Sequence, residues 1–368
     1  MSATHSYAQP LTKKPTRHLR YALRREAGRL CGGRTASCGH KVHGAGAVIR
    51  EGKNGAYVAG VTTCGSIWAC PVCAGKIAEA RRQEVEHVLD GHATTGGHQF
   101  MVSFTMSHAA TDLCSTLKTR VMGAWKRVLQ DKRVRALKIA FNIHWLRNLE
   151  VTLGRNGWHP HIHAIFCTRA LSDLEASQLH RCLRSAWIRA VEVASLAKWP
   201  SYRDAVRHAV DFQRAYKASQ AGNYVAKWGV DSEIARAVTK VSKKGGRTPW
   251  SLLLDSANGD KGAGYRFREY AAAFKGARHI AYSRDFRSKF IVDCPELTDE
   301  QIAAQKLPFN GDTVHLIVPR PIWKDLTRRG LVATLLDATE ARGTQGAVDF
   351  LRANDAGWDF TGMPSAPL

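Results

Sequence analysis

No stretch of the 368-residue chain approaches the roughly 18–20 consecutive apolar residues that a membrane helix requires. The N-terminal segment is basic but lacks the apolar run of a secretory signal. These two absences lead to the expectation of a cytoplasmic protein with no membrane partner. No internal repeat is visible, so nothing suggests a stacked-repeat architecture. Acidic residues are scarce: Asp and Glu number 31 against 54 Lys and Arg, a formal net charge of +23. Hydrophobic residues at 44% and charged residues at 23% permit a packed core and exclude global disorder. The length suggests about two domains, or one domain with sizeable additions.

The charge is unevenly spread. Residues 293–368 hold 7 basic and 11 acidic residues, and the remainder hold 47 and 20. A basic body with a mildly acidic C-terminal part suits a polyanionic partner, most simply nucleic acid. The 10 tryptophans and many arginines also suit stacking on bases and pairing with phosphates.

Nine cysteines in a chain of this kind argue against a disulfide framework. Cys31, Cys38, Cys64, Cys70 and Cys73 cluster, whereas Cys114, Cys167, Cys182 and Cys294 are scattered and read as ordinary buried thiols. Cys70-Pro-Val-Cys73 has the spacing of a zinc knuckle, in which two thiolates from one tight turn share a metal. Cys64 supplies a third ligand. Cys31, Cys38 and His40 compete for the fourth position, and Cys38 is favoured. Four thiolate ligands leave no open position for chemistry, so the expected role is structural: folding a region with little core of its own.

Periodicity places the other elements. Residues 75–90 carry Ile77, Val85, Val88 and Leu89 at helical spacing. Residues 99–106 read as a buried strand, and Leu113, Leu117, Val121, Trp125, Val128 and Leu129 mark an amphipathic helix after it. Residues 144–153 and 158–168 read as strands joined at Asn156-Gly157, a strong hairpin signal. Ser172-x-x-Glu175 is a capping box that opens another helix. Residues 219–228 read as a short helix, and residues 239–264, rich in Gly and Lys, as a mobile loop. The β-α-β-β-α order predicts an α+β fold with helices packed on an antiparallel sheet.

The second hairpin strand is the most informative segment. Side chains alternate along a strand, so His161 and His163 share a face, with His159 beside them. Taking Asn156-Gly157 as a two-residue loop, His163 faces Glu150 and His161 faces Thr152. Cross-strand partners sit about 4.5–5.5 Å apart at Cβ, so Glu150, His161 and His163 converge. Two imidazoles and a carboxylate suit Mn²⁺ or another borderline divalent ion, and Mg²⁺ is an alternative. Pro160 implies a strand start or an edge. In Gln220-Ala-Gly-Asn-Tyr224-Val-Ala-Lys227, the tyrosine, the lysine and Gln220 share one helical face. A tyrosine hydroxyl, with a pKa near 10, needs a nearby cation or a metal-polarised substrate to act as a nucleophile.

MVSFT at 101–105, HPHIH at 159–163 and NYVAK at 223–227 resemble, in order and spacing, the three motifs of HUH endonucleases. The chain is most similar to plasmid rolling-circle replication initiators of the Rep type with an N-terminal zinc-binding region. TCGSIWACPVCAGKI at 63–77, GRTPWSLL at 246–253 and EYAAAFKGARHIAYSRDFR at 269–287 resemble further blocks of that family. The resemblance covers roughly residues 36–290. It implies that His161 and His163 hold a catalytic Mn²⁺ or Mg²⁺, with Glu150 as the third ligand by strand geometry. It implies that Tyr224 attacks the scissile phosphate of single-stranded or extruded origin DNA, and that Lys227 stabilises charge there. The product would be a 5′-phosphotyrosyl link and a 3′-OH that primes synthesis, with a host helicase, single-strand-binding protein and polymerase as partners. Some relatives carry a glutamate where this chain has Gln220, which cannot act as a base, and others use two tyrosines, for which Tyr216 is a weak candidate.

This gives a basic arm at 1–30, a Zn²⁺-binding region at 31–92, an HUH nicking domain at 93–230, a basic DNA-contacting extension at 231–290 and an acidic region of unknown role at 291–368. The competing readings are a single-strand transposase of the HUH type and a non-catalytic, zinc-dependent DNA-binding regulator.

Overall fold

The computed structural model describes residues 15–52, 55–195, 201–215, 246–292, 295–304 and 312–354. They form two compact units, both α+β with antiparallel sheets, the expected class. Among the described residues, no helix is long and apolar enough to cross a membrane.

The first unit draws on residues 1–65, 70–73 and 299–368. Its sheet has the order β2-β1-β8, from β1 (Gly46–Gly52), β2 (Gly55–Ala59) and β8 (Thr313–Pro319). The N-terminal arm becomes helix α1 (Pro15–Cys31) within its described part, with Leu23 and Ala27 buried. A short α2 (Gly33–Ala36) follows. Past β8, α11 (Arg320–Arg329) ends on Gly330 in the left-handed region, and α12 (Val332–Asn354) begins at once. Alternate residues of the strands (Ala47, Ile49, Val58, Leu316, Val318) meet Trp323, Leu326, Leu335 and Leu336 in one apolar core. The acidic C-terminal residues have partners in this unit: Asp337 and Glu340 both pair with Arg17, and Asp312 accepts from the Tyr57 hydroxyl.

The second unit draws on residues 66–69 and 74–298. Its five-stranded sheet runs β6-β3-β5-β4-β7. The strands are β3 (His98–Phe104), β4 (His144–Gly154), β5 (Gly157–Thr168), β6 (Val210–Ala215) and β7 (Ile280–Tyr282). One face packs on α4 (Cys114–Gln130) and α6 (Asp173–Ser195), where Phe104 and Phe166 meet Trp125, and Phe104 also meets Trp187. Ser172 and Glu175 cap α6 reciprocally, at 2.8 and 3.3 Å, as the sequence predicts. The other face is apolar at one end only. There Leu146, Ile165 and Cys167 pack on Val85, Val88 and Leu89 of α3 (Pro71–Thr94) and on Phe286.

Two expectations need correction. From Pro249 onward the segment read as a loop is helical, as α8 (Pro249–Ala257) and the start of α9 (Lys261–Phe274). Thr248 caps the first and Asp260 the second, and these caps outweigh the glycine content. The β4–β5 register is also displaced by two residues. The turn residues are Arg155 and Asn156, and Gly154 pairs with Gly157. Gly157 has φ +84°, so the hairpin is closed by a left-handed glycine after the turn rather than by a two-residue Asn-Gly turn.

Gly157 is doubly constrained, because a Cβ there would lie 2.8 Å from the Ala110 carbonyl oxygen. Gly157→Ala is expected to lower unfolding stability by at least about 1–2 kcal/mol. Gly154→Ala, where a Cβ meets nothing within 4 Å, is the matched control. Equal urea midpoints for the two variants would contradict this account.

Candidate metal centres

The other end of that β4–β5 face carries the polar cluster. Glu150 pairs directly with His161, His163 with Asn148, and His159 with Thr152. This corrects the expected pairing of Glu150 with His163 and of Thr152 with His161. The shift is even, so each residue keeps its face, and the convergence survives the wrong register. Glu150 Oε2 lies 3.4 Å from Nε2 of both His161 and His163. Cis ligands each about 2.1 Å from one ion would be about 3 Å apart, so the donor set fits a single divalent cation.

Pro160 sits in the central strand yet needs no partner on its β3 side. The β3 pairing ends at Phe104 and Ile162, so the strand is locally an edge there.

Each donor is held from behind. Ser103 Oγ is 2.8 Å from His163 Nδ1, and the His159 carbonyl oxygen is 3.1 Å from His161 Nδ1. The Asn148 side-chain amide donates to Glu150 Oε1 at 2.8 Å. His159 Nδ1 lies 2.9 Å from His108 Nε2. Sequence reasoning singled out the three ligands and His159 but missed Ser103, Asn148 and His108. The first two were accessible in principle, since they are the two register partners of His163.

The charges couple across the cluster. Burial alone would raise the Glu150 carboxyl, but hydrogen bonds and charge from His161 and His163 hold it well below the usual carboxylate range. Burial alone would lower His161, but Glu150 raises it above the ordinary imidazole value. Burial, reinforced by His161 and His108, pulls His159 down to about 4.

The second cluster lies in the first unit. Cys38, Cys64, Cys70 and Cys73 are buried and unbridged, with their sulfurs gathered in one group. Cys38 follows α2, Cys64 follows the Val42–Val61 bridge, and Cys70 and Cys73 flank the start of α3. The sulfurs of Cys38 and Cys73 are 3.5 Å apart, those of Cys64 and Cys73 3.7 Å, and those of Cys70 and Cys38 3.7 Å. A tetrahedron of thiolates at about 2.3 Å from zinc has edges of about 3.8 Å, so the cluster could hold a metal such as zinc. Hydrogen bonds from Cys64, Cys70 and Cys73 favour the Cys38 thiolate. Cys31 and His40 are not in the group. Isolated Cys114, by contrast, is pushed up to about 12 by burial. Tyr224, Lys227, Gln220, Tyr216 and the helix expected at 219–228 lie outside the described residues.

The Glu150 and His161 shifts predict a pH signature in the metal-free protein. The depressed carboxyl stabilises above its unfolded pKa of about 4.3 and loses that contribution as pH falls through its folded value. The raised imidazole stabilises fully below about 6.5 and loses that contribution as pH rises through its folded value. The pair's contribution is therefore greatest between about pH 4.3 and 6.5. Glu150→Gln is expected to lower the urea midpoint most in that window, and a deficit independent of pH would contradict it.

No protein-family model matches the chain, and no solved structure matches it. It is similar to the neomycin resistance protein of Streptomyces cyanogenus, 32% identical over 148 residues, covering 33% of this chain and 34% of that protein. It is similar over a much longer span to protein rep of Streptomyces lividans. There the identity is 29% over 354 residues, covering 77% of this chain and 76% of that protein.

Proposed function

We propose that this protein is a plasmid replication initiator that nicks origin DNA by tyrosine attack and rejoins strands through the covalent intermediate. The observation that carries the reading is the convergence of Glu150, His161 and His163 on one face of an antiparallel sheet. The long similarity to protein rep of Streptomyces lividans supports the replication role, and the net charge of +23 supports a DNA partner.

A divalent ion, Mn²⁺ or Mg²⁺, held by Glu150, His161 and His163 would polarise a phosphodiester. Glu150 and the two imidazoles orient their donor atoms toward one point. The Tyr224 oxygen bonds to phosphorus as the bond from phosphorus to the 3′ oxygen breaks. The phenolic proton passes to water, and the 3′ oxygen takes up a proton from water to become a free 3′-OH. Lys227 offsets the negative charge that develops on the phosphoryl oxygens. The phosphotyrosyl bond keeps the phosphodiester's free energy, so rejoining needs no nucleotide cofactor. The 3′-OH serves a host polymerase, with helicase and single-strand-binding protein acting on the displaced strand. Gln220 has no proton-accepting carboxylate, so it cannot activate water at termination. Cys38, Cys64, Cys70 and Cys73 hold a structural Zn²⁺.

Purified protein is expected to contain stoichiometric zinc by elemental analysis. Cys64→Ser and Cys73→Ser are expected to lose it together with the stability of the first unit. A zinc-free wild type with an unchanged melting profile would exclude the assignment.

Incubation with Mn²⁺ and labelled single-stranded origin oligonucleotides is expected to give an SDS-resistant adduct that disappears in Tyr224→Phe. An adduct that persists in that variant would move the nucleophile elsewhere, with Tyr216 next. Tight, salt-sensitive binding without any adduct would favour a DNA-binding regulator.

A further inference from the structure

Glu150 presents its two oxygens to different neighbours. Oε2 faces His161 and His163, at 3.4 Å from each Nε2. Oε1 accepts from the Asn148 side chain at 2.8 Å. Asn148 is fully buried. Its amide nitrogen must face the carboxylate, because the reverse orientation would set oxygen against anionic oxygen. Its own oxygen has no hydrogen-bond partner among the described residues. A fully buried amide that leaves its acceptor unused is costly, and its one polar contact is directed at a candidate ligand.

His163 is held in a comparable way. Its Nδ1 lies 2.8 Å from Ser103 Oγ. A neutral imidazole has one N–H and one lone pair. With Nδ1–H donated to the serine, the Nε2 lone pair is left facing Glu150 Oε2. His161 follows the same pattern, with Nδ1 directed at the His159 carbonyl. Ser103 and Asn148 are the register partners of His163 on β3 and β4. The three side chains thus form one row across three strands, immediately beside the Glu150–His161 pair.

We propose that Ser103 and Asn148 are positioning residues for the divalent-ion site: Ser103 fixes the His163 tautomer and ring plane, and Asn148 restrains Glu150 to present one oxygen. This rests on the reading that Glu150, His161 and His163 hold a divalent ion. Removing Asn148 frees the carboxylate torsion, which is intrinsically broad. Removing the Ser103 hydroxyl lets the His163 ring turn or exchange its N–H.

The test is direct titration of Mn²⁺ into the purified full-length protein, followed by electron paramagnetic resonance of the free ion, with no DNA and no nicking step. Ser103→Ala is expected to weaken Mn²⁺ binding by about 10–100-fold, with a metal-free melting temperature close to wild type. Ser103→Thr, which keeps the hydroxyl, is expected to restore binding. Asn148→Ala is expected to fall in the same range. Ser103 is only partly buried, so its variant tests the idea even if the Asn148 variant fails to fold. Wild-type affinity in Ser103→Ala would overturn the proposal, as would a lowered melting temperature with unchanged affinity. The underlying reading fails differently: the wild type would take up no Mn²⁺, or Glu150→Ala and His163→Ala would bind it normally.

Discussion

Alternation along β5 is the constraint on which the rest of the second unit depends. Residues 159, 161 and 163 must share a face, and 162, 164 and 166 must share the other. The aromatic and aliphatic packing against α4 and α6 buries Ile162, Ala164 and Phe166, so a one-residue slip would put histidines into that core and force Phe166 among the side chains that pack on α3. The hydrophobic face thereby sets the polar one. Gly157 fixes the phase at the turn, and the β3 pairing, which ends at Phe104 and Ile162, sets Ser103 beside His163. The cluster occupies the part of the face beyond the residues that pack on α3 and Phe286.

The same logic explains how much was legible in the sequence. Parity depends only on residue number, so the convergence of Glu150, His161 and His163 could be read without the true register. The register itself required knowing that Gly157, not Asn156, adopts the left-handed conformation, and the Ala110 backbone against that glycine is a tertiary fact. Among the hydrogen bonds behind the ligands, that of Ser103 needs β3 placed beside β5, whereas that of Asn148 runs along β4 to Glu150 and needs only the shared face. The helices at 249–274 were missed because composition was weighed above the caps at Thr248 and Asp260. The short β7 carries too few residues for periodicity to register.

The first unit shows the opposite balance. Its four cysteines were apparent from spacing, but the β1–β8 pairing was not, because no local pattern names a partner so distant in sequence. The uneven charge also takes on a second meaning there. The acidic residues near the C-terminus include Asp337, which meets Arg17 and His18, and Glu340, which meets Arg17 and the Ala56 amide. That part of the charge asymmetry is an internal complement between the two ends of one unit.

The pairing of β1 with β8 bears on the order in which the polypeptide matures at the ribosome. Glu51 and His315, which meet in this unit, are 264 residues apart. At about 5–20 residues per second, the earlier strand waits roughly 13–53 s for its partner. During that interval the whole second unit is made, and β1 lacks the β8 strand that completes its sheet. Such an unpaired edge invites association with other nascent chains. The cysteines at 38–73 emerge early, so a metal held by the four of them, as proposed above, would tether the N-terminal segment before its sheet is complete.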